Sequence, residues 1–171
     1  MDEAETKKEK KPIKRPVVLA ASALLLLAMA VTLVLLQTGG SSPFPKKIRE
    51  QVTYSLYYPS KAPSGWKVEK SSIAAGDQSV TYQVIYDDSD KFVVSVQPIP
   101  ANFDFAAFKK KFYTTDEFTT DIGTVLVGEV GSSLIASIRT SDGSWILINT
   151  SYYASQAKLT ELARYFVKTD N

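Results

Sequence analysis

Residues 17–36 (VVLAASALLLLAMAVTLVLL) run for 20 positions without a charge, the length that a helix rising about 1.5 Å per residue needs to cross a hydrocarbon core of about 30 Å. With Val17 and Leu36 as the ends of the apolar run, the pattern predicts a transmembrane helix over residues 16–37, with the lipid bilayer as its partner. Lys7, Lys8, Lys10, Lys11, Lys14 and Arg15 stand ahead of it, and no basic residue follows until Lys46. A cationic flank stays in the cytoplasm, so residues 1–15 form a basic cytoplasmic tail and the rest of the chain lies outside the membrane. Ala28-Met29-Ala30 has the form of a signal-peptidase site. The apolar run nevertheless continues through Val31, Leu33, Val34, Leu35 and Leu36, where a cleaved leader gives way to polar sequence, so the expectation is a retained anchor.

Residues 38–50, which include Gly39-Gly40-Ser41-Ser42-Pro43, read as a linker, and residues 51–171 have the length of one domain with its own core. Extended segments are expected at 52–58 and 66–73, separated by Pro59, Pro63 and Gly65. Val80, Tyr82, Val84 and Tyr86 alternate with Thr81, Gln83 and Ile85, and after Asp87-Asp88-Ser89-Asp90 the chain continues into Phe92, Val94 and Val96, a period-two hairpin. Phe105, Phe108 and Phe112 then fall at helical spacing behind Asp104 as N-cap. Segments 125–129, 134–140 and 145–150 read as three antiparallel strands joined at Gly131-Ser132 and at Asp142-Gly143, the latter a two-residue hairpin signal. Leu159, Leu162, Ala163, Phe166 and Val167 form the apolar stripe of a closing helix whose Lys158, Glu161, Arg164 and Lys168 face outward. The fold class is α+β: one antiparallel-sheet domain with two helices packed on it, after the N-terminal span.

Charge changes this picture little. From Gln37 onward 14 Lys plus Arg balance 14 Asp plus Glu, so the domain has no general attraction for nucleic acid, and the tail is short and diluted by Asp2, Glu3, Glu5 and Glu9. No nucleic-acid partner is expected. The chain has no Cys and no His, which excludes disulfide scaffolds, thiol nucleophiles, Ser-His-Asp triads and His-ligated metal or haem. An extracytoplasmic domain without cysteine points to a bacterial cell envelope.

Tyr58-Pro59 running to Pro63-Ser64-Gly65-Trp66, a strand pair ending in Gln97-Pro98, Gly128, Trp145 before Ile146-Leu147-Ile148, and a helix opening between Ser155 and Leu162 form an order of landmarks. It resembles an uncharacterised bacterial extracytoplasmic domain found at the C-terminus of some membrane-bound anti-sigma and sigma-regulatory proteins. It is also similar to the sheet-and-helix domains of lipoprotein-carrier-like envelope proteins and, less closely, to the Mog1 and PsbP-like fold. The resemblance covers residues 54–167. It implies an α+β antiparallel sheet and carries no catalytic residues or cofactor.

Few residues suggest chemistry. Ser155-Gln156-Ala157-Lys158 has the S-x-x-K spacing of serine acyl enzymes but reads as a capped helix start, since its S-D-N and K-T-G companions are missing. Asp87, Asp88 and Asp90 are oxygen ligands of the kind Ca²⁺ takes, yet they read better as a polar hairpin turn. Lys109, Lys110 and Lys111 beside Phe112 and Tyr113 are a candidate contact for anionic lipid or wall polymer. Tyr57, Tyr58, Tyr152 and Tyr153 are candidates for a protein or glycan surface, because adjacent residues in extended chain point to opposite faces and one of each pair is the less buried. The reading is therefore a single-pass, membrane-anchored binding or sensing module without cofactor or catalysis, its partner an envelope protein or a glycan. The alternative is a glycan hydrolase working with carboxylates alone, which needs two of them about 5 to 10 Å apart across a cleft.

Overall fold

The computed structural model describes residues 42–60, 62–63, 65–113, 115–150 and 154–169. The expected span with Val17 and Leu36, as well as Tyr152 and Tyr153, lies outside them. Residues Ser42–Asn171 form one compact unit. In chain order its elements are α1 (Lys46–Gln51), β1 (Tyr57–Pro59), β2 (Trp66–Ala75), β3 (Val80–Tyr86), β4 (Asp90–Pro98), α2 (Phe105–Lys109), β5 (Thr115–Thr120), β6 (Gly123–Val130), β7 (Ser133–Thr140), β8 (Ser144–Thr150), α3 (Gln156–Ala163) and β9 (Phe166–Lys168).

Seven strands form one antiparallel sheet in the order β2-β3-β4-β8-β7-β6-β5, and β1 pairs separately with β9. Two meanders, β2-β3-β4 and β5-β6-β7-β8, meet where β4 pairs with β8, in the register Val94↔Ile148. Alternation decides which face is which. Val80, Tyr82 and Val84 of β3, Phe92, Val94 and Val96 of β4, Ile146 and Ile148 of β8, Ala136 and Ile138 of β7, and Val125 and Val127 of β6 are buried on one face. Leu159, Leu162 and Ala163 of α3 close over it, with Phe44, Leu56, Tyr57 and Phe166 completing the core. The expected α+β domain with an antiparallel sheet is thus the observed one, with three helices among the described residues.

Beyond that coarse outline several expectations fail, each for a local reason. The expected linker is folded at its end: Phe44 is buried edge-on to Tyr82, with ring centroids 5.4 Å apart, and residues 46–51 form α1, whose Ile48 packs on the core. The strand expected at 52–58 is only Tyr57–Pro59, and it pairs with β9 rather than the main sheet. The closing helix stops at Ala163, where the Arg164 and Tyr165 N–H groups donate to Glu161 and Leu162 carbonyls in tightened turns. Phe166 and Val167 therefore belong to a strand, a conformation aromatic and β-branched residues favour. The β7–β8 connection has three residues, Ser141 to Gly143, with Gly143 at φ +87°, a common form for a longer hairpin loop ending in a left-handed residue. One strand, β5, has no counterpart in the sequence reading.

The two expected helices lie on opposite faces of the sheet. Behind the core face, α2 and its flanks cover part of the reverse side, over Trp145. Consecutive residues of β6 (Val125, Leu126, Val127) and β8 (Ser144, Trp145, Ile146) are therefore buried, because side chains pointing either way find cover. On β4, where the reverse face is bare, Val94 is fully buried and its neighbour Val93 is 48% exposed.

Candidate interaction surface

Phenylalanine at positions 103, 105, 108 and 112 makes the α2 layer. Asp104 caps the helix by accepting from the Ala107 N–H at 3.0 Å, which orients Phe105 and Phe108 on one side of a single turn. The Phe103 ring lies 4.3 Å from that of Trp145, and Phe108 stands edge-on to both Trp145 (5.4 Å) and Phe112 (5.2 Å). Below them the Trp145 indole donates to Ser137 Oγ at 2.8 Å, satisfying the one polar atom this aromatic buries. Arg139 stacks its guanidinium on Phe105, 4.8 Å from the ring centre. Phe112 is buried, while Phe103, Phe105 and Phe108 are half-buried and Tyr113 is 78% exposed.

The lysine run follows directly. Lys109 pairs with Glu117 of β5, while Lys110 and Lys111 are exposed and make no ion pair among the described residues. The aromatic spacing at 105, 108 and 112 was legible in the sequence; Phe103 and Arg139 were not, because their contacts depend on how β7 and β8 lie beneath the segment.

Tyr57 corrects the tyrosine expectation. It is 2% exposed, inside the core rather than on a surface, and Tyr58 is the less buried of that pair. The Tyr57 hydroxyl bonds to Asp142 of the β7–β8 loop. Asp142 also meets Thr140 Oγ at 2.7 Å, Lys168 Nζ of β9 at 2.9 Å and the Ser55 side chain. Partial burial pushes the Asp142 carboxyl up, but the hydrogen bonds from Ser55, Thr140, Lys168 and Tyr57 outweigh it and hold the group well below the usual carboxylate range. Burial first, and then this carboxylate, push the Tyr57 phenol up. The cluster latches the β1–β9 pair to the main sheet.

That latch has a pH signature. A folded-state pKa below the unfolded one adds stability above the unfolded value, near 4, and the contribution fades as pH falls toward the depressed folded value. Melting temperature should drop steeply on acidification below about pH 4. Asp142→Asn should lower stability at neutral pH by about 1–3 kcal/mol, the scale of a lost charge-assisted hydrogen bond, and flatten that acid limb. Parallel acid limbs for the two proteins would show that Asp142 is not the titrating latch.

Asp87, Asp88 and Asp90 do not converge. Asp87 and Asp88 occupy left-handed backbone (φ 46° and 56°) in a turn closed by the Ser89 N–H donating to the Tyr86 carbonyl at 3.1 Å. Asp88 pairs with Lys67 and Asp90 with Lys158, both at 2.6 Å. Two of the three carboxylates are thus each turned to a different lysine, and residues 87–89 form the polar hairpin turn that the sequence favoured. Lys158, expected to face solvent, instead bridges α3 to the hairpin and lies 4.7 Å from the centre of the Tyr86 ring. Ser155 Oγ accepts from the Lys158 N–H at 3.3 Å as helix cap, so the S-x-x-K spacing is a helix start. Lys168 and Arg164 are exposed, as expected, and from there Lys168 pairs with Asp142 at 2.9 Å and Arg164 stacks on Phe118 at 4.2 Å.

Two carboxylates with reduced exposure stand far apart. Asp90 is the buried carboxylate among the described residues, and Asp142 is partly covered. Asp90 and Pro98 are the two ends of β4, and Pro98 pairs with Ser144 beside the Asp142 loop, so the two acids sit at opposite ends of the sheet, about 25 Å apart along the strand. A concavity of about 540 Å³ beside the β6–β7 turn is lined by Ser132, Ser133, Asn149, Thr150 and Gln156 with Glu129 as its one carboxylate. Comparison with known proteins adds no further constraint: no family model, no curated protein and no solved structure matches this chain.

Proposed function

We propose that this chain is a single-pass anchor carrying a non-enzymatic binding or sensing module on the outer side of a bacterial cell membrane, with its N-terminus in the cytoplasm. The observation that carries the reading is the asymmetry around the uncharged run at 17–36: six cationic residues in the ten positions before it and none in the nine after. The binding role draws support from the half-buried aromatic and cationic surface at α2. An extracytoplasmic α+β domain of the type resembled at residues 54–167 fits the same role, with an envelope protein or a glycan as partner.

Membrane retention tests the anchor. After an alkaline carbonate wash of membranes, the full-length chain should remain in the pellet. Soluble material whose N-terminus begins near Val31 would mean that Ala28-Met29-Ala30 is cut and the anchor reading is wrong.

A further inference from the structure

The α2 surface combines three half-buried phenylalanine rings (Phe103, Phe105, Phe108), a tyrosine 78% exposed (Tyr113) and two exposed lysines (Lys110, Lys111) without an ion pair among the described residues. We propose that this surface rests on the anionic headgroups of the membrane that holds the anchor; the proposal depends on the anchored reading above and names one partner for the module. Aromatic rings that reach partway out beside lysines suit the interfacial zone, where rings enter the headgroup boundary and ammonium groups meet lipid phosphate.

Chain length supplies the second argument. Phe44 is 3% exposed and fixed against Tyr58 and Tyr82, and only residues 38–43 separate it from the end of the expected span. Fully extended, that tether reaches about 25 Å, comparable to the width of a domain whose radius of gyration is about 14 Å. On the anchored reading, a tether that short gives the domain a high effective concentration at the membrane, where a contact too weak to recruit a free protein is populated.

Charge supplies the third. The domain has no net excess and fields are screened beyond about 8 Å at physiological salt, so attraction acts only where cations touch headgroups. Of the acids near α2, Asp104 caps the helix and Glu117 is matched by Lys109, while Glu129, whose carbonyl accepts from the Tyr113 N–H at 3.0 Å, is exposed. Lys110 and Lys111 remain for the lipid.

The absence of native cysteine makes a clean test available. The full-length chain, carrying a polarity-sensitive fluorophore on Tyr113→Cys, is reconstituted into vesicles of phosphatidylcholine alone or mixed with phosphatidylglycerol. In the mixed vesicles emission should shift to the blue and be quenched by lipids bearing a nitroxide near the headgroup. The shift should disappear at high salt and in the Lys110→Glu/Lys111→Glu variant, whose circular dichroism should match the parent. The same fluorophore on Asp77→Cys, in the exposed β2–β3 turn, should not respond. Identical emission of the Tyr113 label in both vesicle types, or an equal shift of both labels, overturns the proposal. Flotation separates the two readings: a chain that floats with vesicles but has a silent Tyr113 label sinks this contact alone, whereas a chain that fails to float sinks the anchor and the contact with it.

Discussion

Leu162→Asp should unfold the domain, while Glu161→Ala, one position away, should leave it folded. Leu162 is fully buried, packed with Leu159 and Ala163 against the inner face of the sheet. Truncating such a residue to alanine costs about 2–5 kcal/mol, and an aspartate there adds a charge with no partner in an apolar layer. Set against a domain stability of roughly 5–15 kcal/mol, that loss is enough to abolish a cooperative melt of the 42–171 unit. Glu161 makes no ion pair among the described residues, so its truncation should shift the melt by no more than about 0.5 kcal/mol equivalent. Coincident melts for the two variants would mean that α3 is not docked through this stripe.

Gly123→Ala should be far more damaging than Gly131→Ala. Gly123 opens β6 opposite Thr140 with φ +155°, and a Cβ there would stand 2.0 Å from the Arg139 carbonyl oxygen and 2.8 Å from Thr140 Cα. Both are backbone atoms of the neighbouring strand, so relief requires β7 to move away, and the expected cost is about 3 kcal/mol or more. Gly131, at φ +62° in the β6–β7 turn, has open space where its Cβ would be; alanine there meets only the backbone penalty, about 1 kcal/mol. Urea midpoints should separate the pair clearly. Equal midpoints would place the β6–β7 register elsewhere.

What was legible in the sequence follows from which residues bury a face. β3 and β4 were readable because one side of each meets the core and the other is uncovered, which writes strict alternation into residues 80–86 and 92–96. β5 was not, because TDEFTT has one apolar residue, Phe118, and an edge strand under a cation stack needs no more. The α1 segment KKIREQ likewise offers only Ile48 and has no side-chain cap. Phe166 and Val167 satisfied a helical stripe and a strand equally well; pairing with Tyr57–Pro59, more than a hundred positions away, decides between them.

The surface was legible in part for the same reason. Lys109, Lys110 and Lys111 beside phenylalanines stood out in the sequence, yet the ring stack with Trp145 and the Arg139 cap needed the third dimension. Adjacent tyrosines announce opposite faces without saying which is inward, and Tyr57 takes the core because its hydroxyl reaches Asp142. The ion pairs Lys158–Asp90 and Lys168–Asp142 join residues far apart in the chain, and no local pattern signals them.

Everything said of function depends on which side of a membrane this domain occupies, and single-cysteine labelling decides that most directly. A membrane-impermeant maleimide applied to intact protoplasts should label Asp77→Cys in the β2–β3 turn at once and label Lys8→Cys only after the membrane is opened. Immediate labelling of Lys8→Cys together with protection of Asp77→Cys would contradict the account.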